Sequence, residues 1–186
     1  QFEYIRQSVK AFNLPSIELI NYEADDLIAT YVEKILDLGA KVTIVSSDKD
    51  LMQLYKKGVR IYDPMKNKFI NQDDVHNKFG VTPEKVIDVQ SLAGDSTDNV
   101  PGVPGIGVKT AAELINEYGT LENLLKNASK IKQNKRRETL INNMDDAIIS
   151  KKLVTLKKDV PVKNKIEEFI LKSVDQDKLY TFLREM

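Results

Sequence analysis

The 186-residue sequence has no cysteine, no tryptophan and a single histidine, His76. Without cysteine there is no disulfide, no thiol nucleophile and no thiolate ligand for zinc, and one isolated histidine completes neither a Cys/His zinc site nor a serine–histidine triad. Catalysis must then rest on carboxylates, lysine, tyrosine, hydroxyls or a bound metal. His76, in DDVHNKFG, reads as a solvated helix residue. Long apolar runs are also missing: nothing approaches the roughly 20 residues of a membrane span. The opening QFEYIRQSVKAF lacks a basic-then-apolar leader pattern. A cytoplasmic protein with no membrane partner is the expectation.

What is present is ordinary for a folded domain, 41% hydrophobic and 30% charged residues. The net charge is zero, but it is unevenly spread. Residues 1–100 carry 12 Lys/Arg against 16 Asp/Glu, and residues 101–186 carry 16 against 12. That split suits a chain in which one part gathers cations and the other meets phosphates, although segregation on solvated faces gives the same count.

Periodicity supplies an outline. Phe2, Ile5, Val9 and Phe12 predict a helix stopped before Pro15, and IELI at 17–20 a short strand. EADDLIATYVEKILDLG predicts a helix closed by Gly39, and KVTIVS at 41–46 a buried parallel strand, so that 17–46 reads as a strand–helix–strand unit. A short helix LMQLYKKG, a strand VRIYD and an edge segment FIN at 69–71 follow. Beyond them come helices in QDDVHNKFG, TPEKVIDVQSLAG (Thr82 as N-cap, Pro83 at the first position), GVKTAAELINEYG, TLENLLKNASKI and KRRETLINNMDDAIISKKL. VTLKKDVPV reads as an edge strand and DQDKLYTFLRE as a closing helix. Three or four strands fall short of the five or six of an ordinary parallel sheet. The expectation is an incomplete α/β domain over 1–81, a helical subdomain over 82–150 and a tail over 151–186 that returns to the sheet.

Three acidic clusters stand at element boundaries: Glu23, Asp25 and Asp26 at a helix start, Asp48 and Asp50 just past a strand, and Asp95 and Asp98 just past a helix. In open α/β sheets the carboxyl ends of the strands form the ligand crevice. Glu23 and Asp26, three apart, are expected on one helix face, and Asp48 and Asp50, two apart in extended chain, on one side. Each cluster alone has a plain alternative, as helix-dipole partner, N-cap or loop acid. Together they need cations to suppress their repulsion. Oxygen ligands without Cys or His favour Mg²⁺ or Mn²⁺, and two such ions about 4 Å apart can serve phosphoryl transfer without a histidine base.

Next to Asp98 lies a glycine-rich turn, Gly102-Val103-Pro104-Gly105-Ile106-Gly107, leading into a helix with Lys109 and Thr110 in its first turn. Glycines allow close backbone approach and the free N–H groups of a helix start attract phosphate, a way to grip nucleic-acid backbone without reading bases. Val108 separates Gly107 from Lys109 and no strand precedes, which excludes a nucleotide-binding P-loop. Lys126, Lys130, Lys132, Lys135, Arg136 and Arg137 extend the positive charge or form a solvated face.

NYEADDLIA, VTIVSSDKDLMQL and LAGDSTDNVPGVPGIGVKTA, in that order, closely resemble the 5′-nuclease (5′-3′ exonuclease) domain of bacterial DNA polymerase I, within the flap endonuclease family. The resemblance implies a PIN/flap-nuclease-like α/β domain with a helix–three-turn–helix DNA-binding subdomain. It implies a two-metal phosphodiesterase that removes 5′ flaps and RNA primers in replication and repair, acting on duplex DNA with a 5′ flap or nick as a monomer, with a polymerase domain on the same polypeptide. It implies Glu23, Asp25, Asp26, Asp48, Asp50, Asp95 and Asp98 as metal-site acids, with Asp48, Asp50, Asp95 and Asp98 closest to the reaction. Gly102, Gly105, Ile106, Gly107, Lys109 and Thr110 match the duplex-holding element, which in the family sometimes carries K⁺. Two further aspartates and a helical arch bearing Lys and Arg lie upstream in the family and have no counterpart in this sequence, so reduced activity of this chain is expected. Two rival readings remain: a non-catalytic duplex-binding module using the glycine turn alone, and a sugar transferase using Asp48-Lys49-Asp50 as a DxD metal site.

Overall fold

The computed structural model describes residues 2–186. Helix α1 (Phe2–Ala11) leads through an irregular segment to α2 (Ala24–Asp37) and strand β1 (Val42–Val45). In α2 Leu27, Ala29, Thr30, Tyr31 and Val32 are buried, and the helix packs on β1. Complete burial of side chains such as Leu27 and Val32 contributes about 1.5–3 kcal/mol each. Gly39 closes the helix as expected. Its N–H bonds to Leu36 O (2.8 Å) and the next amide, of Ala40, to Ile35 O (3.2 Å), the paired bonds of a Schellman ending.

Strand β2 (Val59–Asp63) lies parallel to β1 in register Val42 with Val59, and β3 (Lys68–Ile70) adds antiparallel to β2, giving the order β1-β2-β3. FIN thus falls at the expected edge, one residue earlier. The strand expected at 17–20 is absent: the segment is irregular, Ile20 is 86% exposed, and no strand among the described residues pairs with that side of β1. A strand without a ladder partner leaves its backbone groups unmet. The expected strand–helix–strand unit is therefore replaced by a crossover from β1 to β2 through residues 46–58, which contain a 3₁₀ turn, Asp50–Leu54, where a longer helix was expected.

The rest is helical. α3 (Gln72–Phe79) begins with a capping box between Asn71 and Asp74, and His76 is exposed on it as expected. Pro83 opens a 3₁₀ turn that runs into α4 (Val86–Ala93). α5 (Val108–Tyr118), α6 (Leu121–Lys126), α7 (Asn134–Asn142) and α8 (Met144–Val154) follow, with α4 packed against α5 and α8. The single helix expected over 135–153 is two, broken at Asn143, whose side chain turns back to Thr139 O at 2.7 Å and competes with the helical ladder.

The expected edge strand at 154–162 is also absent. Val154 ends α8, and the following amides are met by side chains instead: Leu156 N–H by Gln53 Oε1 (3.2 Å), Lys157 N–H by Asp26 Oδ1 (2.8 Å) and Val160 N–H by Thr30 Oγ1 (3.1 Å). The tail is thereby stitched to α2. Phe169 stacks edge-on with Tyr31, and the final helix α9 (Gln176–Glu185) packs on α1.

Candidate metal centre and backbone-gripping turn

The acids gather at the carboxyl end of β1. The chain leaves that strand at Ser46, whose Oγ accepts the Asp48 amide at 3.0 Å; Asp48 Oδ1 in turn accepts the Asp50 amide at 2.9 Å. This Asx turn places Lys49 in a helical conformation and starts the 3₁₀ turn at Asp50, so the segment is not the extended chain that the spacing suggested. Asp48 stays exposed, and Asp50 turns inward to the Asp95–Asp98 loop.

That loop is held by a two-bond bridge, Asp95 N–H to Val100 O (3.0 Å) and Val100 N–H to Asp95 O (2.7 Å). One oxygen from each of Asp50, Asp95 and Asp98 lies within 4.8 Å of the others. Oxygens that share one divalent cation at about 2.0–2.6 Å stand no more than roughly 4–5 Å apart, so the trio fits a hard cation. Gln90, buried on α4, donates from Nε2 to Asp50 Oδ1 at 2.6 Å, while its Oε1 is buried with no protein hydrogen-bond partner. An unmet acceptor beside three carboxylates also suits an ion with bound water.

Asp25 joins from α2. Burial, then the neighbouring Asp48 and Asp50 carboxylates, then Glu23 and Asp26, push it up to about 6. A raised carboxylic acid among carboxylates marks a site short of positive charge. The structure thus brings the oxygens of Asp50, Asp95 and Asp98 together, with Asp25 in the field of Asp48 and Asp50 and, more weakly, of Glu23 and Asp26. One oxygen of Asp26, Oδ1, is taken up by the Lys157 amide at 2.8 Å. Glu23 is the N-cap residue of α2, just outside the helix, and lines with Asp26 one cleft of about 1310 Å³ bordered by α6 and α8.

Two neighbours of the acids were not legible as site residues. Lys49 lies between Asp50 and Asp95: its ammonium bonds Asp95 Oδ2 and is 3.4 Å from Asp50 Oδ1. The Lys49 ammonium holds Asp95 below the usual carboxylate range. Its position inside Asp48-Lys49-Asp50 was the available signal. Gln90 gave none, being one of three polar residues, with Asp88 and Ser91, in α4.

The glycine turn lies beyond Val100. Gly102 is buried, its amide bonded to Ser150 Oγ at 2.8 Å, and Ile106 is a core side chain, 5% exposed. Gly105, with φ +74°, Gly107 and Lys109 are on the surface, and no atom stands within 4 Å of where a Cβ would project at either glycine. Half-buried Thr110, together with Pro104, Gly105, Ile106, Lys135 and Arg136, lines a hollow of about 210 Å³. Arg137 is instead tied to Ile131 O (2.9 Å) and Asn134 Oδ1 (2.8 Å).

Parallel strands with an acidic cluster at their end, followed by a helical unit with a tight glycine turn between α4 and α5, define an α/β fold of the flap-nuclease class. Residues 1–80 match the family model described as the 5′-3′ exonuclease N-terminal resolvase-like domain, and residues 81–177 the one described as the 5′-3′ exonuclease C-terminal SAM fold. The chain belongs to the 5′-3′ exonuclease family. It is 54% identical over its whole length to a DNA polymerase I of Rhizobium leguminosarum, of which it spans 18%, and 40% identical to a 5′-3′ exonuclease of Aquifex aeolicus, of which it spans 63%. The T5 5′-exonuclease solved with bound divalent zinc superimposes with a TM-score of 0.75 at 26% identity, over 99% of this chain and 66% of that one. No helix is long and apolar enough to cross a membrane among the described residues.

Proposed function

We propose that the protein hydrolyses phosphodiesters of duplex DNA bearing a 5′ flap or nick, and of primer RNA, with two divalent ions, Mg²⁺ or Mn²⁺, as its cofactors. The observation that carries this reading is the convergence of Asp50, Asp95 and Asp98, one oxygen of each within 4.8 Å of the others, beside the acidic field around Asp25. Bound there, divalent ions would lower the pKa of a water and neutralise charge on the phosphate.

The chain's own residues do the rest. Asp50, Asp95 and Asp98 supply hard oxygen donors, and Asp25 and Asp48 the donors of the second position. Glu23 and Asp26 extend the acidic field toward the cleft. Gln90 fixes the Asp50 carboxylate by its hydrogen bond. Gly105 and Gly107 let a sugar-phosphate backbone come close, the free amides at the start of α5 face it, and Lys109 with Lys135 and Arg136 adds charge. Gly102 and Ile106 serve from below, seating the turn on α8 and the core. A K⁺ ion at the turn would be held by its carbonyls. Such contacts position a duplex without reading sequence.

The division at 81/82 and 150/151 is part of the same proposal: an acid-bearing α/β part, a gripping helical part, and a tail that ties back to α2. The DNA polymerase I relatives are several times longer than this chain, which is the ground for placing a polymerase domain on the same polypeptide, and we take the nuclease part to act as a monomer in the cytoplasm. The 186-residue chain alone is expected to cut slowly, and the test belongs on the full-length parent. Asp95→Asn should abolish Mg²⁺-dependent flap cleavage there while leaving duplex binding; undiminished cleavage would remove Asp95 from the site.

A further inference from the structure

Lys49 stands where its charge has no structural task elsewhere. The Asx turn at Asp48 fixes the backbone of the crossover, the 3₁₀ turn is anchored by buried Leu51, Met52 and Leu54, and neither uses the Lys49 side chain. That side chain reaches instead into the gap between Asp95 and Asp50. The Asp95 side chain is 11% exposed and that of Asp50 22%, so their mutual repulsion with Asp98 is poorly screened by water. The ammonium of Lys49 is the one positive charge within salt-bridge distance of Asp50 or Asp95 among the described residues.

We propose that Lys49 is an internal counter-ion of the acidic cluster: its ammonium holds Asp50 and Asp95 together without metal, and it must leave that position for a divalent cation to be shared by Asp50, Asp95 and Asp98. The inference rests on the metal-centre reading above. Two cations cannot share the same carboxylate lone pairs at close range, so Lys49 and the ion compete. Lysine suits such a role: a compact charge on a flexible four-carbon stem, here about one-third exposed, can swing to solvent without disturbing the backbone. The competition sets a threshold on metal affinity. It also means that loading the site frees a cation at its rim, beside the path of a phosphate backbone.

The test uses Mn²⁺ binding by the 186-residue chain, read as the loss of the free-ion electron paramagnetic resonance signal, together with melting in chelator. Lys49→Met is expected to bind Mn²⁺ at least about fivefold more tightly than the wild type, the lower end of ordinary coupling between ligands. It should also melt lower in chelator, and gain more in melting temperature on adding Mn²⁺. Lys49→Arg, which keeps the charge, should melt in chelator as the wild type does, and Asp98→Asn should remove the affinity gain of Lys49→Met. Equal or weaker Mn²⁺ binding by Lys49→Met, with the wild type binding normally, would overturn the counter-ion role and leave the metal centre standing. A gain that survives Asp98→Asn would overturn it as well, because the ion would lie elsewhere. Absence of Mn²⁺ binding from every form would overturn the metal centre and the counter-ion role with it.

Discussion

Gly102 presses against Gly94 so closely that a methyl group on Gly102 would lie 2.4 Å from the Gly94 amide nitrogen and 2.6 Å from its Cα. The two glycines close the base of the loop that carries Asp95 and Asp98, and Gly102 is also the first residue of the gripping turn. One backbone contact therefore fixes the distance between the acidic cluster and the surface where a duplex would rest.

Gly102→Ala should accordingly be costly. Its φ of +60° disfavours any side chain, and the neighbour in contact is backbone that cannot swing away. We predict a loss of about 2–4 kcal/mol in urea unfolding, from the left-handed penalty and overpacking together. Gly105→Ala, at φ +74° but in open space, should lose only about 1–2 kcal/mol while weakening duplex binding.

Ser150→Ala tests the same junction from α8. It leaves the buried Gly102 amide without its 2.8 Å acceptor. A destabilisation of about 1–3 kcal/mol by chemical denaturation is expected.

How much of this was legible follows from what kind of interaction fixed each part. β1, β2, α2 and its ending at Gly39 were readable because their signals are local: β-branched runs, a stripe of apolar residues, a C′ glycine. The segments at 17–20 and 154–162 were misread because a strand is defined by its partner. The first has none among the described residues, and the second meets its amides on Gln53, Asp26 and Thr30, residues more than 100 positions away. The acids were legible as three clusters, but not that Asp50 would be the one to join Asp95 and Asp98, since a tight Asx turn rather than extended chain aims it. Gln90 was invisible as a site residue and Lys49 was marked only by its place between Asp48 and Asp50, because their roles come from proximity in the fold.

Duplex affinity should fall with salt. Lys109→Ala and Lys135→Ala should each flatten the slope of log affinity against log salt by about 0.9 on B-form duplexes, equally on unrelated sequences. A slope change that depended on base sequence would speak against a backbone grip.

Acid should unfasten the β2–β3 hairpin. Asp63 is buried and held below the usual carboxylate range by the Lys66 ammonium at 2.9 Å and the amides of Lys66 and Met65. A carboxyl lowered on folding adds stability that is complete above the unfolded value, near 4, and is lost as pH falls through the folded one. The stability advantage of the wild type over Asp63→Asn should be constant near neutrality and shrink below about pH 4 in denaturation series.

The most direct test of the account is Mg²⁺-dependent cleavage of a 5′-flapped duplex by the full-length parent, wild type against Asp95→Asn, with duplex binding measured alongside. The account predicts that the substitution lowers cleavage by at least about 100-fold, more than loss of an outer-shell partner costs, and spares binding. Cleavage by Asp95→Asn at the wild-type rate would contradict it.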